Sequence, residues 1–151
     1  MRHLIRAGAL IDGSSRTPRR DVDILIENGL IQNVSERAPG GAPGGVDRVI
    51  DAQHLTVLPG LIDAHVHICS MPDPSPFESL RDTDALTLLK GVHNARKTLK
   101  AGVTTVRTAG TRAALDIELK RGIEQGFVSG PRLVCAGKVL CITGGHGHFI
   151  G

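Results

Sequence analysis

The first 58 residues alternate apolar and polar positions, a pattern that predicts short β-strands with one buried face. Val22, Ile24 and Ile26 alternate with the residues of a second face and are followed by Asn28-Gly29, a strong hairpin signal. A Pro- and Gly-rich stretch over 39–45 predicts a loop. Strands are expected over residues 4–11, 22–27, 30–34, 49–51 and 55–58. We expect residues 1–58 to form antiparallel β-structure.

After Pro59-Gly60 the pattern changes to strands that alternate with amphipathic helices. The helix over 84–101 is predicted by an apolar stripe at helical spacing, with Thr83 as a candidate cap and Gly102 at its end. The complete set is strands over 61–67, 103–107 and 133–142 and helices over 84–101 and 113–125. This order is typical of a parallel sheet, here with the three strands in the order 1-2-3, and it fits a doubly wound sheet or a (β/α)8 barrel.

The composition is that of a globular protein, with 40% apolar and 22% charged residues in 151. Aromatic residues make up 2% and the net charge of +3 is scattered, which argues against a nucleic-acid partner. Without an apolar run of about 18 residues, no membrane span is expected. The three cysteines lack CxxC spacing, which favours a reducing compartment and therefore the cytoplasm.

His65 and His67 are the main candidates for a metal site. Residues at i and i+2 of a strand point to the same face, about 6.6 Å apart along the strand, so both imidazoles can reach one ion. The pair ends a predicted strand and shares its face with Asp63. In parallel sheets the loops that follow the strands carry the chemistry, so the pair lies where a functional site is expected. The alternative interpretation is a pair of surface or core-rim histidines.

The motif Pro59-Gly60-Leu61-Ile62-Asp63-Ala64-His65-Val66-His67 resembles the PGLIDxHxH signature of the metal-dependent amidohydrolase superfamily. Residues 101–107 resemble its second barrel strand. Residues 130–133 and 143–148 resemble the third strand and loop of the branch that includes prolidase-like metallocarboxypeptidases and is related to imidazolonepropionases. Residues 22–29 and 49–52 are similar to the N-terminal part of the small β-sandwich of these enzymes.

The resemblance implies an α/β fold in two parts. Residues 59–151 would be the first βαβαβ portion of an incomplete (β/α)8 barrel, a TIM-type barrel with its first three strands. Residues 1–58 would be part of the preceding β-sandwich domain.

The resemblance also implies a cofactor, one or two divalent metal ions, usually zinc. His65 and His67 match two ligands on the first strand. A carboxylated lysine, two further histidines and a proton-shuttling aspartate would follow Gly151, so no catalytic residue is assigned here. Such a metal lowers the pKa of bound water and polarises the scissile carbonyl.

Two residues are candidates for substrate binding. His146 matches a histidine that lies near the substrate in this branch; the alternative is a loop histidine bonded to the backbone. Arg107 can bind a substrate carboxylate bidentately, or pair with a neighbouring acid. Thr108 stands where the branch usually has aspartate, which leaves the substrate subclass open. Asp63 either orients a histidine or belongs to an interior polar layer.

These features predict a hydrolase of C–N bonds in dipeptides or N-acyl amino acids, active in its full-length form. Its partners would be a small-molecule substrate and, in the full-length form, further copies of the chain in a homo-oligomer of open size. The 151 residues alone are expected to be inactive. The alternative is a non-catalytic, truncated fragment that at most binds a metal ion weakly.

Overall fold

The computed structural model describes residues 1–71, 81–145 and 147, and the chain divides into two compact units, Met1–Pro59 and Gly60–Gly151. The first unit contains strands β1 (Arg2–Leu10), β2 (Arg19–Glu27), β3 (Leu30–Glu36) and β4 (Arg48–Val57). The second contains β5 (Leu61–Val66), α1 (Asp84–Lys100), β6 (Val103–Thr108), a 3-10 turn (Arg112–Ala114), α2 (Leu115–Glu124) and β7 (Arg132–Cys135). In the described segments, no helix has the length and apolar character needed to cross a membrane.

The sheet of the first unit has the strand order β3-β2-β1-β4. β1 and β2 pair antiparallel, as do β2 and β3. Asn28 (φ 51°) and Gly29 (φ 81°) are both in the left-handed region and form the hairpin turn that the sequence predicts. Val22 and Ile24 are buried with Leu10 in the core of this unit, as their alternation predicts.

The expectation that residues 1–58 are wholly antiparallel is wrong for β4, which pairs parallel to β1. A two-residue turn makes neighbouring strands antiparallel, whereas the long connection over 37–47 lets the chain return to the free side of β1. Proline and glycine identify this connection as a loop, but they do not indicate the partner of the strand that follows.

The two short strands expected at 49–51 and 55–58 form one strand, β4, with an irregularity opposite Gly8. Ala7 pairs with Ala52 and Ala9 with Thr56, so several residues of β4 lie opposite one residue of β1. A Cβ on Gly8 would lie 2.0 Å from the carbonyl oxygen of Gln53. Glycine therefore permits β1 to approach the bulged part of β4.

The second unit has a three-stranded sheet in the order β5-β6-β7, with both pairs parallel, as predicted. α1 begins at its predicted position, where the Thr83 side chain accepts a hydrogen bond from the Leu86 amide at 3.2 Å. α2 covers most of its predicted range, after the 3-10 turn. Both helices contribute to a core that includes Ala95 and Leu119.

The buried face of α1 includes the middle of the predicted apolar stripe, where Leu88 and Val92 pack against the core, but not the end of the stripe. The buried residues of the helix are the small Thr87, Gly91 and Ala95, whereas Leu99 is exposed. A Cβ on Gly91 would lie 2.8 Å from Cys69 Sγ and 3.2 Å from a methyl carbon of Leu119. Because glycine stands there, the helix packs closely against the core.

The third strand of the second unit is shorter than the 133–142 expected. β7 ends at Cys135 because the next backbone groups bond elsewhere: the Gly137 amide donates to Asp116 and the Gly137 carbonyl accepts from Thr111. Gly137 has φ +76°, which turns the chain out of the sheet. The apolar Leu140 and Ile142, which suggested a longer strand, are exposed.

Candidate metal centre

The start of β5 is held against β6 before the two histidines are reached. The Leu61 amide donates to the Gly102 carbonyl at 2.9 Å. A Cβ on Gly60 would lie 2.0 Å from Thr104 Oγ1, so glycine permits this approach. Gly60 of the motif thus has a local role in placing β5.

His65 lies at the end of β5 and His67 directly after it, and both are exposed. Their ring centroids are 5.4 Å apart and their planes make an angle of 79°. Two imidazoles at this separation can share one metal ion, since zinc–nitrogen bonds are about 2.0–2.1 Å long. In the ranges described, no group of three or more His, Cys, Asp or Glu side chains could hold a metal. The pair therefore fits half of a tetrahedral zinc shell.

Asp63 acts on the backbone of His65. Its carboxylate accepts a hydrogen bond from the His65 amide at 3.1 Å. The ladder between β5 and β6 jumps at the same place, from Asp63 opposite Val106 to Val66 opposite Thr108. Asp63 thus accepts its hydrogen bond from a main-chain amide, whereas the sequence predicted an imidazole partner or a place in an interior polar layer.

The turn after His67 is fixed by α1. The Ser70 amide donates to the His67 carbonyl at 2.9 Å. The Asn94 side-chain amide donates to the carbonyls of Ile68 and Ser70, at 2.8 and 2.7 Å. The sequence did not single out Asn94 as a residue of the site. The signal for its role was a polar residue next to the buried Ala95.

The ring of His67 faces a backbone carbonyl. Its Nδ1 lies 3.5 Å from the Gly110 oxygen, at the outer limit of hydrogen bonding. A proton on Nδ1 would point at this carbonyl and leave the Nε2 lone pair for a metal. Gly110 has φ +105°, and a Cβ there would lie 2.7 Å from a methyl carbon of Val139. The sequence does not indicate a role for this glycine, because its contact is with a distant residue.

Arg107 lies on β6 and is exposed. Its guanidinium donates to the Ala64 carbonyl at 3.3 Å, directly before His65. Among the residues that the structure describes, Arg107 forms no ion pair with an acid.

Thr108, in contrast, is fully buried, and its hydroxyl donates to the Asp116 carboxylate. His146 lies outside the described residues.

Cys69 lies two residues after His67, but its side chain belongs to the core. It is 4% exposed, and burial raises the pKa of its thiol to about 12, with the nearby Asp116 carboxylate acting in the same direction. Burial also raises the pKa of Cys135. Metals bind the thiolate, so Cys69 is poorly suited as a ligand.

The chain is similar in sequence and in structure to known proteins. Residues 56–148 match the amidohydrolase family. A dihydroorotase from Elusimicrobium minutum is 31% identical over 129 residues, covering 85% of this chain and 26% of the relative. An imidazolonepropionase from Salinispora tropica is 31% identical over 101 residues, covering 67% of this chain and 22% of the relative.

Among solved structures, a Xaa-Pro dipeptidase with bound methionine in its active site matches with a TM-score of 0.86 and 32% identity, over 97% of this chain and 36% of that one. The chain spans 14% to 26% of the length of the curated relatives that it matches. The resemblance inferred from the motif at 59–67 is confirmed by matches that include this region. The sequence, the parallel unit that bears the two histidines and the solved relatives together show that the chain belongs to the amidohydrolase family.

Proposed function

We propose that the protein is a metal-dependent hydrolase of C–N bonds and that its substrates are dipeptides or N-acyl amino acids. The observation that carries the proposal is the His65–His67 pair, with ring centroids 5.4 Å apart at the end of β5. The likeness to a Xaa-Pro dipeptidase supports the substrate class. The likeness to dihydroorotase supports only the broader class of hydrolase.

We propose zinc as the metal, in one or two ions, with His65 and His67 as ligands through imidazole nitrogen. When bound, the metal would acidify a water molecule and polarise the substrate carbonyl. Gly110 and the turn held by Asn94 would keep the His67 ring in place. The other ligands would come from residues outside those described.

Arg107 is the proposed site for a substrate carboxylate. Its guanidinium is exposed and lies beside the backbone of β5 next to His65, and a planar guanidinium can hold a carboxylate with two hydrogen bonds. His146 stays a predicted substrate contact. The proposed substrate is a small molecule, and a homo-oligomer remains a prediction for the complete protein.

We propose that β5, β6 and β7 are the first three strands of a (β/α)8 barrel and that residues 1–58 are part of a β-sandwich domain. Leu61 and Ile62 on β5 and Val134 on β7 are 57%, 74% and 50% exposed. Apolar strand residues so exposed are what the further strands and helices of a barrel would cover. The three free cysteines support a cytoplasmic location.

Zinc binding tests the proposed ligands. Because two imidazoles supply half of a shell, we expect weak binding that falls by about tenfold or more in His65→Ala and in His67→Ala. Isothermal titration calorimetry would measure it, with His93→Ala, an exposed histidine on α1, as the control that leaves binding unchanged. Sub-nanomolar binding that survives His65→Ala would place the site elsewhere.

Hydrolysis tests the proposed activity. We expect the 151 residues alone to release no more amino acid from a dipeptide panel than zinc in buffer, because a missing acid or base alone costs about 10²–10⁴ in rate. A gene product that supplies the remaining ligands should hydrolyse the panel, and His67→Ala should abolish its turnover. Zinc-dependent turnover by the 151 residues would contradict the first expectation; its absence in the complete protein would contradict the proposed function.

A further inference from the structure

Asp116 is a carboxylate buried completely in the second unit, in the first turn of α2. A charged side chain is rarely fully buried unless it is partnered. Four groups donate to this carboxylate. They are the Thr108 hydroxyl, the Thr111 hydroxyl at 3.4 Å, the Ile117 amide at 3.0 Å and the Gly137 amide at 3.2 Å.

These bonds join the segments that follow two strands. Thr108 ends β6, Thr111 lies in the loop between β6 and α2, and Gly137 follows β7. The Asp116 amide donates back to the Thr111 hydroxyl at 3.1 Å, and the Thr111 amide donates to the Gly137 carbonyl at 2.8 Å. Thr111 therefore fixes the loop after β6 in two ways. Its hydroxyl bonds to Asp116, and its amide bonds to the Gly137 carbonyl.

The same loop carries the carbonyl that faces His67. Gly110 directly precedes Thr111, and its oxygen lies 3.5 Å from His67 Nδ1. On its other side, the Ala109 amide donates to the Val66 carbonyl at 2.8 Å. A continuous path of hydrogen bonds and one peptide unit thus runs from Asp116 to the His67 ring.

We propose that Asp116 is a positioning residue that holds the Gly110 carbonyl against His67 Nδ1 and thereby favours the tautomer with a free Nε2. Asp116 touches neither His67 nor a substrate, and it acts only through the loop. The consequence for metal binding rests on the proposed function. The consequence for the tautomer of His67 does not.

Asp116→Asn separates this role from simple support of the core. The side chain keeps its shape, but an amide has one oxygen, so in either orientation its NH₂ faces the backbone N–H of Ile117 or Gly137. We expect the Gly110 carbonyl to lose its fixed position. The fraction of His67 protonated at Nδ1 should fall by half or more, and the zinc dissociation constant should rise about threefold to tenfold.

The measurement is nitrogen NMR of the histidine-labelled chain at alkaline pH, where imidazole is neutral and its two tautomers have distinct signals. His67→Ala assigns the signal. Leu119→Ala is the matched control, because Leu119 is 1% exposed on the same helix and takes no part in the network. We expect the wild type and Leu119→Ala to keep the Nδ1-protonated form, and Asp116→Asn to lose it.

Two results would overturn the proposal: an unchanged tautomer in Asp116→Asn, or an equal change in Leu119→Ala. If Asp116→Asn does not fold, Thr111→Val, which removes one hydroxyl of the network, should cause a smaller shift in the same direction, and no shift would overturn it. If the tautomer changes as expected but the wild type binds no zinc, the positioning role stands and the proposed zinc site at His65 and His67 fails.

Discussion

Iodoacetamide is expected to alkylate Cys141 in the folded chain at least about tenfold faster than Cys69, because Cys69 is buried and its raised pKa lowers the fraction of the reactive thiolate. Cys141 is exposed, whereas Cys69 is 4% exposed and packs against Gly91. Burial raises the pKa of Cys69 from 9.0 to about 12. Peptide mapping by mass spectrometry at pH 8 would give both rates.

The same labelling in urea is the control, since unfolding should bring the two rates together. Similar rates in the folded chain would contradict the burial of Cys69.

The raised pKa of Cys69 also makes the stability of the folded chain depend on pH. An unfolded Cys69 ionises near pH 9 while the folded one keeps its proton, so its contribution is present below about pH 9 and is lost as the pH rises toward about 12.

Gly8→Ala is expected to lower the free energy of unfolding by about 3 kcal/mol, the upper part of the usual range for overpacked positions. The new Cβ would lie 2.0 Å from the Gln53 carbonyl oxygen, a backbone atom that moves only if the bulge between β1 and β4 is rebuilt. Urea denaturation followed by far-ultraviolet circular dichroism would measure the loss.

Gly44→Ala is the matched control, because a Cβ there meets no atom within 4 Å and the backbone is not left-handed. Its stability should be unchanged or slightly higher, since alanine reduces the freedom of the unfolded chain. An equal decrease in the free energy of unfolding in the two variants would show that the close approach at Gly8 does not affect stability.

Local signals predicted the elements that depend on near neighbours. Asn28-Gly29 predicted the turn, and Thr83 with Gly102 predicted the ends of α1, because capping and turn geometry involve residues a few positions apart. The order of β5, β6 and β7 followed from the alternation of strands and helices.

Features that depend on distant partners were not predicted. The direction of β4 is set by its pairing with β1, and the end of β7 is set by the bonds of Gly137 to Asp116 and Thr111. At the candidate site, the sequence predicted His65 and His67 but missed Gly110 and Asp116. Asp116 left one signal: it lies three positions before Leu119, on the apolar side of α2, where a charge requires a buried partner.

The place of β1 in its sheet has a consequence for the growing chain. β1 lies between β2 and β4, yet β2 ends at Glu27 and β4 ends only at Val57. During translation, one side of β1 can therefore be paired while the other still presents unbonded N–H and C=O groups. Until β4 has left the ribosome, the nascent chain carries an open sheet edge, which is a surface on which chaperones and other nascent chains can act.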